Sequence, residues 1–373
     1  MRCSRFIIVM CAVLAVSSPR LQTSETGNAE PFALDIPPEI LPPIIPDDNP
    51  MTAEKVSLGR KLYFDKRLSA DNTVSCATCH DPRLGFADGK AVAEGIGGQK
   101  GARNSPTTLN AGFYDFQFWD GRSVTLEDQA KQPLINPVEM GMPSHDAVVE
   151  KVKGSEDYPD LFEKAFGTRE ITIDHIAMAI AAFERTLITL DSPFDRFIAG
   201  DNNAISESAK RGWDLFNGKG RCNTCHGYVE SYPFFTDNKF HNVGVGAKNR
   251  QFDELARRAE HESDVAKVSH ETGASELGRF LVTKGRPDIG AFKTSGLRDI
   301  ALTAPYMHDG SEPTLESVIE FYNRGGETNP FLDGGIRPLE LTDEEVGDLV
   351  GFLNTLTGSH IDRLKEEFAG DME

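Results

Sequence analysis

The sequence predicts a mainly α-helical protein in two similar halves. Three observations carry that expectation: a pentapeptide that occurs twice, a helix-forming segment ahead of each copy, and helical spacing of apolar residues in the longer segments. The pentapeptides are Cys76-Ala77-Thr78-Cys79-His80 and Cys222-Asn223-Thr224-Cys225-His226. Cys-x-x-Cys-His is the spacing of c-type haem attachment, in which two thiols tether the porphyrin vinyl groups and the adjacent histidine binds iron on one face. A redox-active Cys-x-x-Cys would need a βαβ context, and a zinc site would need further paired ligands; neither is present. Each half is therefore expected to be a cytochrome c-like domain with one covalently bound haem c, tethered by Cys76 and Cys79 with His80 on iron, and by Cys222 and Cys225 with His226 on iron.

Taken in order, residues 1–29 read as a signal peptide. Arg2 and Arg5 precede an apolar run from Phe6 to Val16 and then small residues, with cleavage after Ser17 or after Ala29. The run is too short to span a bilayer, which takes ~20 apolar residues, and no later segment is apolar enough. The mature protein is expected in the periplasm. Cys3 and Cys11 leave with the signal, so the two motifs use every remaining cysteine and no disulfide framework is left. Residues 30–50 are proline-rich, an extended lead-in expected to have no packed core.

Residues 51–200 form the expected first haem domain and residues 201–373 the second, with the boundary near Ala199–Asn203, where Gly, Asp and Asn interrupt the helical pattern. Leu58-Gly59-Arg60-Lys61-Leu62-Tyr63-Phe64 precedes the first motif as Arg211-Gly212-Trp213-Asp214-Leu215-Phe216 precedes the second. Thr172–Leu190 carries Ile176, Ala179, Ile180, Phe183 and Leu187 at helical spacing. Thr342–Thr357 opens with the capping box Thr342-x-x-Glu345, turns Val346, Leu349, Val350, Leu353 and Leu356 inward, and stops at Gly358. Between Lys248 and Glu276 a charged stretch with few apolar residues reads as a surface excursion.

The formal net charge of −19 argues against nucleic acid, which would call for a basic face. It permits docking to a basic redox protein. The length left after the signal, about 345 residues, suits two domains.

With the proximal histidine supplied, the sixth iron position separates electron transfer from chemistry: methionine or histidine closes the iron, and an open face can bind peroxide. Here Phe118-Trp119-Asp120-Gly121-Arg122 and Thr303-Ala304-Pro305-Tyr306-Met307-His308-Asp309-Gly310, with both haem motifs, resemble the bacterial di-haem cytochrome c peroxidase family, which includes the MauG-type enzymes. The resemblance covers nearly the whole mature chain. It implies that Trp119 lies between the two haems, and that Gln129 and Glu139 line the open face of the first. A carboxylate there can move a proton from the inner to the leaving outer oxygen of peroxide. It also implies a calcium ion between the domains, held by Asn104 and by Thr303 and Pro305; all-oxygen ligation suits that ion.

Two departures from the usual pattern bear on function. The histidine that closes the first haem in typical peroxidases aligns with Ile96, next to Gln99-Lys100-Gly101, and no histidine lies between His80 and His145. Isoleucine cannot ligate iron, so the first haem is expected to stay open, as in the MauG-type branch. The usual methionine on the second haem, 14 residues after the histidine of His308-Asp309-Gly310, is Tyr322. Leu315, Val318, Ile319 and Tyr322 follow the helical rule, so Tyr322 faces inward; Met307 is the rival ligand. An oxygen donor favours higher oxidation states where a thioether favours ferrous iron. His241 is expected near the second haem, and His145, His175, His261, His270 and His360 at the surface or in packing.

The resemblance thus implies hydrogen peroxide at the His80 haem, Glu139 and Gln129 assisting, and two oxidising equivalents shared with the His226/Tyr322 haem through Trp119. A MauG-like oxidation of a protein partner, at tryptophan, is the leading expectation. An ordinary peroxidase fed by a small cytochrome or copper protein is the alternative, and a di-haem electron carrier a further one. The enzyme that matures methylamine dehydrogenase has a relay tryptophan six residues before its second haem histidine; here that place is Gly220, with Trp213 in the preceding helix, so that substrate is not expected.

Overall fold

A computed structural model describes residues 32–247, 252–268 and 273–372. The expected signal peptide, with Cys3 and Cys11, and His270 lie outside the described residues. The architecture is mainly helical. Its only regular strands among the described residues are Phe240–His241 and Phe292–Lys293, an antiparallel pair in the register Phe240 to Lys293.

Seven helices position the site: α1 (Ala53–Phe64), α2 (Leu126–Ile135), α3 (Ile173–Glu184), α4 (Glu207–Asn217), α5 (Leu315–Asn323), α6 (Asp343–Asn354) and α7 (His360–Glu367). In the first half α1 crosses α3 at Gly59. A Cβ on Gly59 would stand 1.9 Å from the Ala179 carbonyl oxygen, so only glycine lets the two backbones touch. In the second half α4 crosses α6 in the same way at Gly212, where a Cβ would stand 2.0 Å from the Asp348 carbonyl oxygen. Each crossing nucleates a core. Leu58, Leu62, Tyr63, Leu134, Ile176, Ile180 and Phe183 build the first; Phe216, Leu315, Ile319, Leu349 and Phe352 are central to the second. The last helix returns to the first half, where Ile361, Leu364 and Phe368 join its core.

The expected helix over Thr172–Leu190 ends earlier, at Glu184. Thr186 gives its hydroxyl to the Phe183 carbonyl and ends the ladder, and Leu187 stays buried while its carbonyl accepts from Asn110 N–H. The Thr342 capping box is present, and Thr355 ends α6 through the Phe352 carbonyl, as Thr186 ends α3. The proline-rich lead-in is extended, but the expectation that it lacks packing is corrected: Ile40 is buried against Phe113, Ile188, Leu190 and Phe234. Asn49 is wholly buried and gives its amide to Glu127 and the Met178 carbonyl. The charged stretch after Lys248 also differs from a bare excursion. Phe252, Ala256 and Ala259, on one face of the helix Phe252–Ala259, pack with Leu277, Phe280, Leu281 and Ile289 in a core of their own.

Candidate active site

In the first half a short helix, Cys76–Cys79, opens at Ser75, whose backbone N–H is held by the Thr78 hydroxyl. It presents both cysteines and His80 to one cavity. Its free space is about 1270 Å³, part of it open to solvent. The His80 Nδ1–H donates to the Phe86 carbonyl at 3.3 Å, which leaves Nε2 as the lone-pair nitrogen. Burial keeps the imidazole below its ordinary pKa, hence neutral, as a ligand must be. Burial likewise pushes the Cys79 thiol up to about 12.

Gln129, Glu139, Trp119 and Asn104 line the same cavity. Helix α2 opens at the Thr125 cap and lays Leu126, Gln129, Ala130 and Pro133 along one wall. Glu139 follows in a turn whose backbone is pinned twice, by its own N–H to the Asn136 carbonyl and by Ile96 N–H to its carbonyl. Ile96 itself is absent from the cavity wall and packs over Gly141. The loop that could carry a sixth ligand therefore buttresses the Glu139 turn instead. The Trp119 indole N–H donates to the Asn104 carbonyl at 2.9 Å, and its ring meets His308 edge to face at 6.4 Å.

The fit to a haem can be tested on the polar atoms. Arg103 and Arg122 both line the cavity, and both pair with the wholly buried Asp120, at 2.6 and 3.0 Å. The two guanidinium groups share that one carboxylate. Arg103 Nε is buried with no hydrogen-bond partner. An orphaned cationic donor in a cavity with paired thiols suits a porphyrin with propionate groups.

The two halves repeat locally. Phe118-Trp119-Asp120-Gly121 recurs as Met307-His308-Asp309-Gly310, and the first and last residue of each run have left-handed backbones, φ 64° and 67° against 71° and 65°. Phe86 and Phe235 are also left-handed, and each offers its carbonyl to the neighbouring haem-motif histidine. Asn104 N–H bonds the His308 carbonyl as Lys293 N–H bonds the Trp119 carbonyl, both at 2.8 Å. The same displacement carries the Thr125 cap onto the Thr314 cap and Pro133 onto Tyr322. The position that holds a phenol in one half thus holds a ring with no donor in the other.

Around the second motif, His226 Nδ1–H donates to the Phe235 carbonyl at 2.9 Å. Tyr322, on α5, sits in the field of Cys222 and Cys225; burial, and then those two thiols, raise its phenol above the usual range. An iron centre would reverse that preference. Met307 is half-buried in a tight turn, its carbonyl accepting Gly310 N–H, and corresponds to Phe118, not to Pro133. His241 lies beside Cys225. That thiol, with Asp333 and Asp237 at 2.7 and 3.1 Å, raises its imidazole to about 10.

The Asn104 amide bridges the Lys90 carbonyl at 2.8 Å and the Pro305 carbonyl at 3.2 Å; Thr303 turns its hydroxyl to the Ile300 carbonyl. A flipped amide would present a third oxygen to those two carbonyls. His145, His175 and His360 bond to Lys131, Glu170 and Asp191, away from the cavity, and His261 is exposed. Sequence reasoning gave no role to Arg103, Asp120, Arg122, Pro133 and Glu184. The repeat was a usable signal for Pro133, and Asp120 and Arg122 lie in the run that carries the resemblance; nothing local marks Arg103 and Glu184.

The di-haem cytochrome c peroxidase family model matches residues 53–203. The methylamine utilization protein MauG of Methylorubrum extorquens is 42% identical over 92% of this chain and 90% of its own length. The cytochrome-c peroxidase IdrP1 of a Pseudomonas species is 36% identical over 86% of this chain and 85% of its own. A crystal structure of a MauG-like protein associated with microbial copper homeostasis superposes with a TM-score of 0.75 at 34% identity, over 88% of this chain and 97% of that one. No helix among the described residues is long and apolar enough to cross a membrane. With two haem-motif halves and this degree of likeness over nearly its full length, the chain belongs to the di-haem cytochrome c peroxidase family, a family of haem-dependent oxidoreductases acting on peroxide.

Proposed function

We propose that the chain is a MauG-like periplasmic peroxidase that uses hydrogen peroxide to oxidise a protein partner. Cys76, Cys79 and His80 would hold the first haem c, and Cys222, Cys225, His226 and Tyr322 the second. Once bound, the haem irons supply the oxidation chemistry. The observation that carries the reading is the unequal pair Pro133 and Tyr322. Equivalent positions offer no donor atom at the first haem and a phenol at the second.

The protein's own part follows from the cavity. Gln129 orients peroxide through its amide. Glu139 accepts the proton of the inner peroxide oxygen and returns it to the outer one, which leaves as water. Trp119, fixed by the Asn104 carbonyl and packed on His308, offers a rigid π-system between the halves. Asn104, Thr303 and Pro305 would hold a calcium ion, with Asn104 and Pro305 already in contact.

One equivalent of peroxide added to the diferric holoprotein, followed by Mössbauer spectroscopy, tests this. Oxidation of both irons above ferric without prior reduction is expected. A requirement for half-reduction would overturn the MauG-like reading in favour of an ordinary peroxidase. A ferric spectrum with both haems low-spin, and no reaction with peroxide even after half-reduction, would leave only an electron carrier. Methylamine dehydrogenase is not claimed as the partner: Gly220 stands at the relay position and Trp213 is packed against Phe194, Phe216 and Phe352, so another partner or another exit for the electrons would be needed.

A further inference from the structure

Glu184 is the last residue of α3 and lines the first haem cavity. It is 5% exposed, and its Oε2 is buried with no hydrogen-bond partner. Its neighbour Arg185 does not serve it, because that guanidinium forks onto Glu127 at 2.7 and 3.0 Å and also bonds the Ile44 carbonyl. A buried carboxyl with an orphaned oxygen costs free energy and calls for a reason. The fold does not supply one. Gly59 meets Ala179 and Phe183 as Gly212 meets Asp348 and Phe352, so the second-half counterpart of Glu184 is Leu353, buried in an ordinary apolar core.

We propose that Glu184 is the redox-linked proton site of the first haem, taking up one proton from solvent when that iron gains an electron and releasing it when the electron leaves. This rests on the reading that Cys76, Cys79 and His80 hold a haem in the cavity. The balance is simple. A redox protein or an electrode supplies one electron, ferric iron becomes ferrous, and the carboxylate becomes a carboxylic acid; reoxidation reverses both. The net charge of the cavity is then unchanged by electron transfer, which is the favoured outcome in a poorly solvated site. The groups that face Glu184 act in the same direction. Burial is the main cause of its raised pKa, about 8; Arg185 opposes it and Glu127 on α2 adds to it. Tyr63 on α1 feels the Glu184 charge in turn and is held neutral, mainly by burial, and Cys76, once tethered to haem, has no proton to exchange. Ferric iron favours the carboxylate and ferrous iron releases that preference, so electron and proton arrive together around neutral pH.

The test is a spectroelectrochemical titration of each haem in the holoprotein between pH 6 and 9. For the first haem, the equilibrium constant for reduction should fall by up to about tenfold per pH unit over part of that range. In Glu184→Gln, which keeps shape and hydrogen-bonding capacity, that slope should vanish; Glu184→Leu, the residue of the second half, should behave alike and guards against an effect peculiar to the amide. Infrared difference spectra of the wild type should show a carboxylic acid carbonyl band on reduction, absent in both variants. An unchanged slope in both variants, or no slope in the wild type, overturns the proposal. Mass spectrometry of the chain separates the two readings: absence of haem on Cys76 and Cys79 overturns the haem assignment and this proposal with it. A loaded protein that does not turn over peroxide but keeps the Glu184-dependent slope overturns only the peroxidase reading.

Discussion

Replacing Asp120 by asparagine should destabilise the protein strongly, and the amount can be worked from its contacts. The carboxylate is wholly buried and holds Arg103 at 2.6 Å and Arg122 at 3.0 Å, while Arg279 bonds the Asp120 backbone carbonyl at 3.1 Å. Arg103 also reaches the Ser275 carbonyl, so the cluster ties the first half to the segment around 275–279. An amide in its place would turn N–H donors toward two buried guanidinium groups. Removing one partner of a buried ion pair costs about 3–5 kcal/mol. With an unfolding entropy of ~2.1 cal/mol/K per residue over ~340 residues, each kcal/mol is worth ~1.4 °C, so the melting temperature should fall by about 4–7 °C. The pH dependence has a definite sign. Burial alone would raise the Asp120 pKa, but Arg122 and then Arg103 outweigh it and hold the value below the ordinary one. The carboxylate's contribution is therefore complete above its unfolded pKa of roughly 4 and fades only as pH falls through the lower folded value. Thermal unfolding of holoprotein and variant by circular dichroism, from pH 3 to 8, measures this. A gap under ~1 kcal/mol at neutral pH, or one that widens in acid, would refute the reasoning.

Further expectations are more local. Glu139→Gln should slow the reaction with peroxide by about 10²–10⁴-fold in stopped-flow absorption, with haem content unchanged. Tyr322→Phe should alter the ferric spectrum of the second haem alone; an unaltered spectrum would point to Met307. Gly59→Ala and Gly212→Ala should each lose at least ~1–3 kcal/mol in chemical denaturation, because each Cβ meets a carbonyl oxygen near 2 Å. A loss in one and not the other would break the equivalence of the two crossings.

The helical class and the helices before each haem motif were legible because periodicity and caps are local properties. Thr342 and Glu345 fixed the start of α6 as written. The end of α3 was less legible, since Leu187 satisfies the helical spacing but is buried from a turn that Thr186 creates. The lead-in was misread for a different reason. Its prolines do forbid helix, but Ile40 and Asn49 find partners far along the chain, which no window of sequence displays. The same holds for the cavity. Gln129, Glu139 and Trp119 were placed by resemblance, whereas Arg103, Asp120 and Arg122 form a charge cluster whose meaning depends on burial, and burial is a tertiary property.

The two halves share one scaffold, and their differences fall at a few equivalent positions. A glycine crossing, a histidine oriented by a left-handed phenylalanine carbonyl, and a turn that ends in left-handed glycine recur in both. Against that background the substitutions are informative because packing alone would accept the same residue twice. Pro133 against Tyr322 sets whether a donor atom is available. Trp119 against His308 puts unlike rings face to edge across the junction, with each backbone bonded to the other half. Glu184 against Leu353 gives one cavity a titratable oxygen and leaves the other apolar. The first change leaves a donor atom only on the His226 side, and the last leaves a buried carboxyl only on the His80 side. A duplicated electron-transfer module would need none of them. Taken together, these differences are the physical argument for the proposed chemistry at the first haem and storage at the second.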